Sequence, residues 1–312
     1  MSKIKLYVYP HAKPHVHDGI AEYVNTVPLS KKGIEDHFDV VGPDDADYFY
    51  MGQLTNNASL NSYNQNSWQF LTKFPEKHIC DYEGEGGQEY GAGGVAIPNW
   101  LRKSILTING PLKTYGDLNI FTRPTFSNLL VDIAKNRREY FSVPKKKSVW
   151  FKGLINCTTR QLLTIAMSRF EDELDFELNN KWSGPSQVDS EIQKNYIKKM
   201  NDNLISLCPR GSGMDSVRLI ETCYYKRVPV LISDHDYFMV GEPGYDTSFC
   251  FRIISNDPTD ILNQVVEIYN RPIKELVERA EAAREYFEDV IRVYFNDPTL
   301  TFIKWLKDDR RK

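Results

Sequence analysis

Arg210, Ser216, Arg218 and Glu221 lie close together in the chain, with Gly211 and Gly213 set among them. A guanidinium is a planar fork suited to phosphate oxygens, and glycine lets a backbone approach a ligand closely. A helix opening at Ser216 would add unpaired N–H groups and the positive end of its dipole, with the serine hydroxyl at the cap position. Together these residues could hold a diphosphate. Glu221 lies three residues beyond Arg218, on one face of that helix. A carboxylate one turn inside a phosphate-facing helix does not bind phosphate, but it can accept two hydrogen bonds from a ribose diol. The chemistry indicated is therefore that of a nucleotide, and in particular of a nucleotide-sugar.

Positioning these side chains requires a β-loop-α-β unit. Leu204 to Cys208 is a short apolar run that predicts a strand, and Pro209-Arg210-Gly211 reads as a turn. Helical spacing of Val217, Ile220 and Tyr224 predicts a helix from Ser216 to Lys226 with those residues on its core face. Val228 to Ser233 predicts a second strand, followed by Asp234.

At these residues the chain resembles the exostosin-type glycosyltransferases. The resemblance rests on Cys208-Pro209-Arg210-Gly211, on Ser216, Arg218 and Glu221 in an S-x-R-x-x-E pattern, and on the Val228 to Asp234 strand. Phe151-Lys152-Gly153 followed by Arg160-x-x-Leu163 is similar to a second segment of that family. More diffuse likenesses lie at Pro43 to Met51 and at Ile120 to Pro124. Lys226-Arg227 departs from the pattern, since many relatives carry a small residue and glycine there. The resemblance implies a UDP-sugar donor, inversion at the anomeric carbon and a glycan acceptor, with no cofactor and no divalent metal. It also implies that Lys152, Gly153 and Arg160 lie at the donor phosphates, where they would offset charge developing on the leaving nucleoside diphosphate. A structural glycine with exposed bases is the plainer account of those three. A glycan- or nucleotide-sugar-binding protein without turnover is the alternative to an enzyme.

Inverting transfer needs a base to take the acceptor hydroxyl's proton. The base candidates are Asp81, Glu83 and Glu85, where a predicted strand from His78 to Tyr82 empties into a glycine-rich acidic loop, and His15, His17 and Asp18 in the first loop. As loop residues they would equally serve to solvate a surface segment, and the resemblance selects none of them. His15-x-His17-Asp18 has no further ligand at a metal-site spacing. Asp234-His235-Asp236 is a D-x-D match at the end of a predicted strand.

The 312 residues suffice for two domains, and a net charge of −3 excludes a generally basic nucleic-acid binder. Five scattered cysteines without C-x-x-C spacing argue against a disulfide framework or a zinc site. The N-terminal MSKIKLYVYP enters a strand directly, without a signal-like apolar stretch or a run long enough to insert in a bilayer. This predicts a bacterial or viral relative working in a cytosol. The absence of G-x-G-x-x-G after the first strand disfavours a dinucleotide-dependent dehydrogenase.

The expected architecture is α/β and GT-B-like, with two Rossmann-like domains facing across a cleft. Residues 1–145 form the acceptor side, 146–290 the nucleotide-sugar donor side, and 291–312 a C-terminal helical segment that crosses back to the first domain. The Pro144 to Lys147 run reads as a solvated linker, Ala21 to Lys31 and Trp68 to Phe74 as helices, and Leu276 to Tyr294 as one long amphipathic helix.

Overall fold

The computed structural model describes residues 3–12, 28–55, 65–83, 99–109, 120–123, 146–179, 190–211, 216–234 and 245–307. The chain divides into two compact units, Met1–Pro124 together with Val293–Lys312, and Thr125–Arg292. Each is a Rossmann-like α/β unit built on one parallel sheet.

In the first unit the strands are β1 (Ile4–Val8), β2 (Phe38–Val40), β3 (Tyr48–Thr55), β4 (His78–Glu83), β5 (Ile105–Asn109) and β6 (Ile120–Arg123). They pair in the order β2-β1-β3-β4-β5-β6, every pair parallel. The second unit carries β7 (Lys146–Leu154), β8 (Leu174–Asn179), β9 (Asn203–Pro209), β10 (Val228–Ser233) and β11 (Phe251–Ile254). Their order is β8-β7-β9-β10-β11, again all parallel. The two orders are the same, with one strand added in the first unit. In such sheets ligands sit beyond the carboxyl ends of the strands, where the order reverses. Those points are β1/β3 and β7/β9.

The buried runs explain the second sheet. Every residue of β9 and β10 is buried, as expected of central parallel strands covered on both faces. Alternation along the strands sends Val149, Phe151, Ile205 and Leu207 to one core. There they meet Leu163, Ala166 and Met167 of α2 (Thr158–Met167) and Ile261, Val265 and Ile268 of α5 (Pro258–Tyr269). The intervening residues face α3 (Ser190–Asp202) and α4 (Val217–Tyr224). Trp150 stands edge-on to Tyr196 with ring centres 5.2 Å apart, a favourable arrangement for two aromatic quadrupoles. Thr222 donates to Ser206 Oγ at 2.9 Å, which pins α4 to β9.

In the first unit α1 (Lys31–His37) is capped by Ser30, whose Oγ accepts from the Gly33 N–H at 3.1 Å. The chain from Val293 onward belongs to this unit, so the C-terminal segment returns to the first sheet. Phe302 and Trp305 of α8 (Pro298–Lys307) flank Phe121 of β6 at 5.1 and 5.4 Å. Gly33 permits the approach of α8, because a Cβ there would collide with Thr299 Oγ1. That hydroxyl donates to the Pro28 carbonyl at 2.6 Å.

Several local expectations are corrected. Trp68 to Phe74 is a series of turns after a short 3-10 segment, Gln65–Ser67, because Trp68 and Leu71 are drawn individually into an aromatic core. Of the Ala21 to Lys31 helix, residues 21–27 lie outside the described residues, and the helix present begins at Lys31. Lys146 and Lys147 open β7 instead of forming a linker; Lys147 Nζ donates to the Arg271 carbonyl at 3.0 Å and lies over the Tyr269 ring. The long C-terminal helix is α6 (Ile273–Tyr286), a π-helical turn at Phe287–Ile291 that buries Phe287, Val290 and Ile291, then α7 (Arg292–Asn296).

Candidate functional site

The predicted β-loop-α-β unit is present as β9, α4 and β10, and the β7/β9 reversal brings the end of β7 beside it. Arg210 comes directly after β9 and is almost wholly buried, at 1% exposure. Its fork closes on Asp234 at the end of β10, with Nε to Oδ1 at 2.6 Å and Nη2 to Oδ2 at 3.0 Å, while Nη1 donates to the Gly211 carbonyl at 3.0 Å. The backbone carbonyl of Arg210 accepts from Arg160 Nε at 3.0 Å, and Arg160 Nη1 donates to the Leu154 carbonyl at 2.9 Å. Two arginines thereby lace together the ends of β7, β9 and β10.

Arg160 and Arg218 share one support. Their guanidinium carbons lie 6.0 and 4.6 Å from the centre of the Phe151 ring, and Arg218 also faces Trp150 and Tyr196. Gly153 makes this possible in an unexpected way: a Cβ there would stand 2.8 Å from the Phe151 ring. Among the described residues neither guanidinium is hydrogen-bonded to a carboxylate. Arg160 bonds to two carbonyls, and Arg218 donates from Nη2 to the Lys152 carbonyl and from Nε to Tyr196 Oη at 3.3 Å. Arg218 Nη1 is buried with no hydrogen-bond partner among the described residues. Burial, reinforced by the charges of Arg218 and Arg210, lowers Arg160 to about 10. Burial also pulls Arg218 down, but Tyr196 and Glu221 outweigh it and leave its pKa raised.

Helix α4 is buried along its whole length from Arg218 to Tyr224, not on one face alone. Glu221 therefore sits inside, where its Oε2 accepts from the Tyr196 hydroxyl. Burial holds the Tyr196 pKa well above its ordinary value. Ser216 occupies the cap position of α4 and is buried, yet its side chain makes no capping bond. Lys152 is directed along the sheet to Glu177 Oε1 of β8, at 2.7 Å, and its hydrogen bond is the main cause of a lowered Glu177 pKa. A Cβ on Gly211 would meet only Arg160 Nη2 at 3.6 Å and Asn156 Nδ2 at 4.0 Å, so this backbone is open to close approach from that side among the described residues.

No family model matches the chain, and no curated protein matches it either. Among solved structures, a glycosyltransferase from Rickettsia africae ESF-5 superposes with a TM-score of 0.45 at 11% identity, over 99% of this chain and 100% of that one. The wall teichoic acid polymerase TagF superposes with a TM-score of 0.30 at 12% identity, over 98% and 90%. At scores this low neither likeness says what this chain does.

The base candidates fall differently. Asp81 of β4 is fully buried, and its Oδ1 accepts from Thr107 of the neighbouring β5, which braces the sheet. Glu83 closes β4, with its side chain outside the described set, and His15, His17, Asp18 and Glu85 lie outside the described residues altogether. Just after β1, the first unit shows a neutral chain that leads to His78 at the start of β4. The Phe70 N–H donates to Tyr9 Oη at 3.1 Å, the Tyr9 hydroxyl bonds His78 Nε2 at 2.9 Å, and His78 Nδ1 bonds the Phe74 carbonyl at 2.7 Å. A carbonyl only accepts, so Nδ1 carries the proton and Tyr9 donates to Nε2. Burial lowers His78 to about 4. Among the described residues no group of three or more His, Cys, Asp or Glu could hold a metal ion, and no helix is long and apolar enough to cross a membrane.

Sequence reasoning missed Tyr196, Asn156 and the role of Asp234. Tyr196 lies on α3, and no spacing signal ties it to Arg218 and Glu221 across the fold. Asp234 is visible in the motif without its partner. Arg227, at the departure from the family pattern, caps α3 by donating to the Met200 carbonyl at 3.0 Å and the Asn201 carbonyl at 2.6 Å.

Proposed function

We propose that this chain is a glycosyltransferase that moves a sugar from a UDP-sugar to a hydroxyl of a glycan acceptor, with inversion and without a divalent metal. One observation carries the proposal: the half-buried Arg160 and the buried Arg218 lie on one ring beside the β7/β9 strand ends, and none of the described carboxylates is hydrogen-bonded to either. Arg160, bonded only to carbonyls, keeps its charge for a dianion, and the motif resemblance at Arg210 to Asp234 supplies the nucleotide-sugar class. In the reaction the acceptor oxygen bonds to the anomeric carbon as the bond from that carbon to the β-phosphate oxygen breaks. The acceptor proton passes to a base, for which Asp81, Glu83, Asp18 and His15 are the proposed groups. The leaving UDP takes its developing charge onto Arg160 Nη2 and the N–H groups opening α4. Arg210 acts from behind, holding the turn against Asp234.

The test is a thermal-shift titration with UDP, with and without EDTA, on the native protein and on Arg160→Ala. A ligand that binds only the folded state raises the melting temperature. UDP is expected to do so equally with EDTA, and Arg160→Ala to weaken the response about 10-fold or more, as for loss of a charged hydrogen bond. No shift by UDP in the native protein would end the proposal.

A further inference from the structure

Asn156 lies in the turn between β7 and α2, and Arg160 in the first turn of α2. Both side chains border Gly211, just beyond β9: the point a Cβ would occupy there lies 3.6 Å from Arg160 Nη2 and 4.0 Å from Asn156 Nδ2. Both atoms are donors. Arg160 uses Nε and Nη1 on carbonyls, and neither Nη2 nor Asn156 Nδ2 donates a hydrogen bond among the described residues. The amide does not serve the helix behind it either, since α2 is capped by Cys157 and takes no side-chain capping bond. One small space is thus bordered by a guanidinium nitrogen and an amide nitrogen, each with a proton to give.

Two donors beside one space ask for a shared acceptor. A phosphate oxygen only accepts, and its negative charge strengthens the bond from either nitrogen. Burial and the charges of Arg218 and Arg210 hold Arg160 down at about 10, so an anion here also relieves an unfavourable field. A third cation in place of the amide would deepen the repulsion, whereas a neutral donor adds a directed bond without it. Taking its ligand from the UDP-sugar reading above, we infer that Asn156 is a direct phosphate contact, its Nδ2 donating to a diphosphate that Arg160 Nη2 also holds. Gly211, without a side chain, leaves the space open for it.

Calorimetric titration of the full chain with UDP and with inorganic pyrophosphate tests this. Asn156→Ala is expected to raise both dissociation constants about 3- to 10-fold, the loss of one hydrogen bond. Asn156→Asp keeps the shape but exchanges the donor for a negative charge, so it should lose more than Asn156→Ala with both ligands. Native affinities in Asn156→Ala would overturn the inference. So would a loss for UDP without one for pyrophosphate, which would assign the amide to the nucleoside. A third overturning result is that Asn156→Ala costs nothing further in an Arg160→Ala background, because the amide would then act only by positioning the guanidinium. Binding of pyrophosphate that depends on Asn156, with no binding of UDP, would keep the phosphate contact and end the UDP-sugar reading. A native protein that binds neither ligand would end both.

Discussion

The two units carry opposite chemistry beside their sheets. Each sheet reverses its strand order at one point, between β1 and β3 or between β7 and β9. In the first unit a chain of neutral groups, Phe70 N–H to Tyr9 to His78 to the Phe74 carbonyl, joins the end of β1 to the start of β4 in a buried region. In the second, arginines tie the strand ends through backbone carbonyls, and one ion pair, Arg210 with Asp234, anchors them. A neutral chain satisfies its own members and leaves little for a ligand. Arg160, bonded only to carbonyls, holds the backbone and keeps its charge available. The same strand order can therefore carry either arrangement, and function depends on the side chains, not the order.

The sharpest way to break this contrast is to remove the anchor. Asp234→Ala leaves the Arg210 charge buried without its bidentate partner and should cost about 3–5 kcal/mol of stability, read from urea unfolding. A loss near zero would mean that the pair is not what holds the turn.

The neutral chain of the first unit should show itself through pH. His78 has a folded pKa of about 4, below its ordinary value of 6.5. Between those values the unfolded state binds more protons, so the stabilisation is complete above pH 6.5 and is lost as pH falls toward 4. By linkage this amounts to about 3 kcal/mol. Urea midpoints across that range should fall in the native protein and fall less in His78→Gln; identical pH profiles would contradict the buried, neutral assignment.

The smallest effect lies at the far end of α4. Lys226 adopts φ 58°, the left-handed conformation that favours glycine, and the Arg227 N–H returns to the Thr222 carbonyl to close the helix. Lys226→Gly should raise stability by up to about 1 kcal/mol, since the lysine's ion pair with Glu281 is exposed to solvent and worth little. UDP affinity should be unchanged. A change there would show that the two ends of α4 are coupled.

Much of the second unit is legible in the sequence because its signals are local. Continuous apolar runs mark β9 and β10, and Pro209-Arg210-Gly211 marks the turn at the end of β9. Trp68 to Phe74 misleads because apolar residues in a turn can match a helical pattern while each inserts into the core separately. The type and position of Arg210 suggest phosphate, whereas its fork meets Asp234, brought beside it by the parallel pairing of β9 and β10. Lys152 reads as a partner of the arginines, whereas the pleat and the register with β8 point it at Glu177.

By itself the sequence determined β9, α4 and β10, the turn that ends β9 and that a cluster of cations and a carboxylate sits around one loop, since these depend on apolar spacing and backbone preference over a few residues. Only the tertiary structure decided which cation is neutralised, which keeps its charge and which amide is left unsatisfied. Those outcomes depend on pairs far apart in the chain, Arg210 with Asp234, Arg218 with Tyr196 and Asn156 beside Gly211. Burial strengthens such pairs and penalises each missing partner, so the final chemistry of the site is set by packing.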